Sequence, residues 1–217
     1  MSRPEARGAL AHHFESYEQQ RSAAALGMWV FIAQEIMFFG GLFAAYVIYR
    51  WAYPGSFAAG SGRLDVVLGT VNTAVLLTSS LSMALAVRAT QTGKPRAAAA
   101  LLIVTMVLGA VFLGIKFDEY HHKFVEHLVP GPGFQMDGAD GRTIQLFFIL
   151  YFAMTGLHAL HMVIGIGVLA ALVVPVWRGR FTPESHNLVE GTGLYWHFVD
   201  VVWIFLFPLL YLVNRHG

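Results

Sequence analysis

The chain has 217 residues, 56% of them hydrophobic and 12% charged, with a formal net charge of +1 and a mean hydropathy of +0.58. This balance excludes a soluble globular domain and a strongly basic nucleic-acid binder. Without cysteine, the chain itself can supply no disulfide, thiolate-held copper centre or iron–sulfur cluster.

Residues 1–25 read as a polar tail with three Arg and three Glu. The tail lacks the apolar core and cleavage site of a signal peptide, so the first span is expected to act as the insertion signal and stay in the product. Residues 26–217 are expected to form one membrane domain. Its spans are predicted at 26–50, 65–88, 97–119, 144–174 and 193–213, each long enough for the roughly 20 helical residues a bilayer requires.

Span one carries Gln34 and Glu35, then Phe38-Phe39-Gly40-Gly41-Leu42-Phe43, in which rings and small residues allow close helix approach. Tyr53-Pro54-Gly55-Ser56 reads as the turn that follows. Span two is rich in Ser and Thr between Thr70 and Ser82 and reads as a helix-packing face. After Thr92-Gly93-Lys94-Pro95, span three ends at Glu119-Tyr120 and leaves through the charged run Lys116–His127. Pro130-Gly131-Pro132-Gly133 and residues 137–141 read as irregular loop. Span four holds His158 and His161. Span five holds His197, Asp200 and Trp203 at three-residue spacing, on one helical stripe.

Short turns between spans predict an all-α integral membrane protein, an antiparallel bundle of five transmembrane helices. Basic residues number eight on the N-terminal side of the loops and six, including Lys116 and Lys123, on the other. That bias predicts a cytoplasmic N-terminus. Trp29, Trp51, Trp177 and Trp196 fall near span ends, as headgroup-level rings do; Trp203 lies deeper.

The candidate chemistry lies in the spans. An aspartate near a helix centre costs about 2.5–3.5 kcal/mol on insertion scales, so it faces protein or trapped water. Counting 1.5 Å per residue, Glu35, His158, His161, His197 and Asp200 come to one level of the membrane. Three readings follow. His158 or His161 with His197 could be the axial pair of a b-type haem. A di-iron site fails, because it needs several intramembrane Glu and one is present. The second reading is a proton reservoir at half depth, since Gly40–Ile48 and Ile204–Leu212 offer little polarity for a through-path. In the third, the residues pair as Glu35–His and His–Asp, fixing helix register and a docking surface. Asp118-Glu119-Tyr120-His121-His122 reads as a polar span end, too short to specify a metal geometry.

MWVFIAQEIMFFGGLFAAY at 28–46, VNTAVLLTSS at 71–80, Glu119-Tyr120, TGLHALHMVIG at 155–165 and YWHFVDVVWIFLF at 195–207 together resemble subunit III of the haem–copper terminal oxidases. The motifs occur in order, one per span, and cover nearly everything from residue 26. The resemblance implies an accessory subunit, bacterial and multi-pass in the plasma membrane, in a complex that reduces oxygen to water and pumps protons. It implies no cofactor on this chain: haem and copper are held by partner subunits I and II, with subunit I packed directly against it and structural phospholipid bound. Glu35, His158, His161, His197 and Asp200 match family motifs in a layer that supports proton uptake or packing, and none becomes catalytic or metal-binding. Many members have seven spans, whereas this chain begins at what looks like their third. Quinol oxidases and nitric oxide reductases use five-span relatives, and the QEIMFFGGLF wording leans toward cytochrome c oxidase.

Overall fold

A computed structural model describes residues 17–135, 141–181 and 186–213. The described residues form six helices: α1 Tyr17–Ala52, α2 Pro54–Ser61, α3 Val66–Gln91, α4 Pro95–Val125, α5 Gly141–Trp177 and α6 Asn187–Tyr211. All but α2 are long and apolar enough to cross a membrane. The chain is thus an all-α, multi-pass membrane bundle in which successive spans run antiparallel. The end carrying the start of α1 is called the N-side below, and the opposite end the far side.

Local chemistry sets the ends of these helices. Asp65 caps α3, its carboxylate accepting from the backbone N–H groups of Val67 at 2.8 Å and Leu68 at 3.1 Å. Pro occupies the first turn of α2 and α4, where a missing N–H costs nothing. Helices α3, α4 and α5 each close with a residue of positive φ: Gly93, His127 and Gly179. Backbone bonds from Lys94, Leu128 and Arg180 to carbonyls five residues earlier complete the same terminal motif.

Two connections differ from the sequence expectation. Tyr53-Pro54-Gly55-Ser56, read as a turn, instead opens α2 (Pro54–Ser61), which tucks against α5 with Phe57 fully buried and Ser56 Oγ 2.7 Å from Thr143 Oγ1. The charged run Lys116–His127 is mostly helix, because α4 continues to Val125. Lys116 and Lys123, counted as loop charges, are therefore buried in α4 at 3% and 6% exposure.

Helices α3, α4, α5 and α6 make the principal core, and α1 leans on α5 and α6. Much of α1 stays uncovered, including Trp29, Met37, Ile48 and Trp51. Trp196 belongs at the centre of the core rather than at the headgroup level: it is fully buried and its N–H donates to Ser79 Oγ at 3.0 Å. Two glycines make room for it. A Cβ at Gly109 or at Gly165 would stand 2.9 Å from the indole ring. Thr73, Ser79, Ser80 and Ser82 of α3 bond to neighbouring helices, Ser82 Oγ lying 2.7 Å from Thr105 Oγ1 on α4, whereas Thr70 and Thr78 are exposed and bond carbonyls of α3 itself.

Gly165→Val should therefore lower the thermal unfolding midpoint, while Gly167→Val, whose Cβ would meet open space, should leave it nearly unchanged. Overpacking of this kind costs about 1–3 kcal/mol. Circular dichroism melts of the two purified variants in one detergent make the comparison.

Candidate functional site

The polar residues fall into two groups, one near mid-helix and one toward the far side. Glu35 lies halfway along α1 and His161 halfway along α5, with Glu35 Oε2 3.2 Å from His161 Nε2. His161 Nδ1 is 2.9 Å from the carbonyl of Leu157. A carbonyl only accepts, so Nδ1 carries a hydrogen. Nε2 faces the Glu35 carboxylate. Around it, Tyr195 donates its hydroxyl hydrogen to the carbonyl of His161 at 2.8 Å, and Phe39 packs 5.4 Å from the imidazole.

The expected Glu–His pair is thus formed. The His–Asp pair is not. His197 Nδ1 is 2.7 Å from Ser80 Oγ on α3, and the imidazole is only half-buried. Three residues advance a helix by about 300°, so each step along the 197–200–203 stripe drifts by about 60°. Asp200 and Trp203 consequently face the core, while His197 turns to the flank against α3. Asp200 is 2% exposed and His158 1%. His158 is set apart from His161, its ring 5.3 Å from Phe112 and 5.2 Å from Trp203.

Aromatic side chains pack between α5 and α6. Trp196 and Trp203 occupy the depth of this interface, and Tyr195 lies 6.5 Å from His161 in a stacked arrangement. Among the described residues no three His, Asp or Glu side chains gather as a metal-binding group.

The second group was not expected. Glu119 and Tyr120, read as a polar span end, lie inside α4. Glu119 is 3% exposed and its Oε2 accepts from Lys116 Nζ at 2.9 Å. Tyr151 of α5 and Tyr211 of α6 donate to Glu119 Oε1 at 2.9 and 2.6 Å. Lys116 Nζ also donates to the Tyr151 and Tyr211 hydroxyls at 3.1 and 2.9 Å. An ammonium has three hydrogens and here meets three oxygens. The rings of Tyr120, Tyr151, Trp203 and Tyr211 surround it at 5.0–5.6 Å, a geometry that favours the cation. Tyr120 in turn joins Thr155 of α5 at 2.6 Å. Sequence reading missed Lys116, Tyr151 and Tyr211, although Lys116, Glu119, Lys123 and Glu126 recur at helical spacing and could have signalled one charged face.

Tyr211 touches both charges, so Tyr211→Phe should leave part of the ion pair unsatisfied and cost about 1–3 kcal/mol of bundle stability. Tyr49→Phe, an exposed tyrosine on α1, should cost little. Unfolding titrations in mixed micelles measure the difference.

Comparison with known proteins agrees with this architecture. The family model described as Cytochrome c oxidase subunit III matches residues 10–214. The chain is 34% identical to cytochrome c oxidase subunit 3 of Thermostichus vulcanus, over 88% of this chain and 87% of that protein. It is 30% identical to quinol oxidase subunit 3 of Bacillus subtilis, over 88% of each. It is also 28% identical to cytochrome bo(3) ubiquinol oxidase subunit 3 of Pseudomonas aeruginosa, over 94% of this chain and 92% of the relative. A single family model accounts for nearly the whole sequence, and the chain belongs to the cytochrome c oxidase subunit III family of the haem–copper oxidases.

Proposed function

We propose that the chain serves as the subunit of a bacterial cytochrome c:O2 oxidase that carries no redox centre, stabilising subunit I and supporting its proton uptake during aerobic respiration. The observation that carries this reading is the Glu35–His161 contact at 3.2 Å, a near-buried carboxylate and imidazole brought together halfway along two apolar helices. Carboxylates and histidines within membrane spans mark proton relays. Haem and copper belong to the partner subunits in this reading, with subunit I against the bundle and subunit II in the same complex. The N-terminus lies on the cytoplasmic side.

A groove of about 900 Å3 between α1 and the paired α5 and α6 supports a role for bound phospholipid. Ala24, Met28, Phe31, Ile164 and Val168 give it apolar walls, and Gln20, Asn187 and Glu190 give it a polar mouth on the N-side. That pattern suits an acyl chain below a headgroup.

The higher identity to the cytochrome c oxidase subunit, 34% against 28–30% for the two quinol oxidase subunits, supports cytochrome c as electron donor. The quinol reading stays as the second one, because the bo(3) relative aligns over the largest share of this chain, 94%. Identifying the co-purifying subunits separates them: a partner with a dinuclear-copper domain supports cytochrome c, and one without it supports quinol.

Glu35→Ala should leave initial turnover intact while altering the pH dependence of proton uptake or hastening inactivation during turnover. Stopped-flow proton uptake and long oxygen-consumption traces test this, and a variant matching wild type in both across pH would defeat the proposal. Asp200→Leu should chiefly weaken assembly with subunit I. Full assembly with immediate loss of electron transfer would contradict that role.

A further inference from the structure

Besides single atoms of Glu35, Ser61 and His186, three core side chains have two unpartnered buried polar atoms each among the described residues. They are both nitrogens of His158, both amide atoms of Asn72 and both carboxylate oxygens of Asp200. All three residues are at most 2% exposed, and the Ser80 hydroxyl lies near the Asp200 carboxylate. The surrounding core is paired: Ser79 with Trp196, Ser82 with Thr105, Thr155 with Tyr120, and Lys116 with Glu119. The two-atom deficit thus falls on these three side chains.

It is centred on Trp203. The His158 imidazole lies 5.2 Å from this indole. The indole N–H donates to Thr73 at 3.1 Å, and Asn72 precedes Thr73 on α3. Asp200 lies one turn before Trp203 on α6. His158 completes a triangle of ring contacts with Trp203 and Phe112, whose own rings stand 4.8 Å apart edge to face. Buried polar groups in native proteins bond to protein or to ordered water. A water needs two to four polar partners, and α3, α5 and α6 each carry one of these side chains.

We propose that the centre of the α3–α6 bundle is a water-binding site, in which ordered water bonds Asn72, His158 and Asp200 around the Trp203 indole. Lys116 Nζ lies 5.3 Å from the same ring on its far side. The site thus adjoins the Lys116–Glu119 cluster through the Trp203 ring. This inference is independent of the electron donor and of the role of Glu35.

Radiolytic hydroxyl-radical labelling in oxygen-18 water, applied to the intact chain in its oxidase complex, tests it. Bound water delivers label to buried side chains beside it. Trp203 and His158 should be labelled several-fold more than Trp196, which is equally buried but has its N–H on Ser79 and its ring against two glycines. Equal, low labelling of all three would overturn the site. A solvent-resolving cryo-EM map gives the second readout: density within bonding distance of at least two of the three residues is expected. A dry core, with these side chains bonded directly to one another, would overturn it.

Discussion

A polar group inside a bilayer has no bulk water to return to, so its partner must come from another helix or from trapped solvent. In this chain that constraint is concentrated in the Lys116–Glu119 pair. The two charges sit on one helix, three residues apart, but their remaining bonds reach Tyr151 on α5 and Tyr211 on α6. The α4–α5–α6 register on the far side is consequently set by hydrogen-bond geometry as well as by apolar packing. A shift of one turn in either neighbour would strand a charge.

Mid-membrane register has a second determinant, the pair of tryptophans on α6. Trp196 fills the notch made by Gly109 and Gly165 and donates to Ser79, while Trp203 packs on Phe112 and donates to Thr73. Each indole thereby ties α6 to α3 by a hydrogen bond and to the other core helices by its ring. With α3, α4, α5 and α6 locked in this way, α5 presents His161 toward α1, where Glu35 meets it. The tyrosine hydroxyl of Tyr46 on α1 also caps the carbonyl of Leu209 near the end of α6, a group that the helix itself leaves unbonded. The more loosely packed α1 is therefore anchored at two points, one polar pair at mid-height and one cap on the far side. Between the mid-height pair and the start of α1 lies the apolar groove.

The long-range architecture was legible because it follows from composition. Five apolar stretches joined by Gly- and Pro-containing turns can form little besides an antiparallel helical bundle. The level shared by Glu35 and His161 was also legible, because rise per residue converts span position into depth. Side-chain direction was not. His197 and Asp200 look alike on a three-residue stripe, but the 60° drift per step sends one to Ser80 and the other into the core. Lys116 and Glu119 were read as a span end because charge was equated with water. A longer helix with two tyrosines opposite it satisfies the same charges internally. Those tyrosines lie 32 and 92 residues away from Glu119 in sequence, and no local pattern points to them.

The most direct measurement is a double-mutant cycle on the ion pair, using Lys116→Met, Glu119→Leu and the double variant in reversible unfolding from mixed micelles. Removing one partner of a buried pair strands the other, at a cost of about 3–5 kcal/mol, whereas replacing both with apolar residues can be nearly neutral. Each single variant should therefore be strongly destabilised and the double variant distinctly less so than the sum. Small, additive losses would show that the pair does not hold α4, α5 and α6 together, and would contradict the central role given to it.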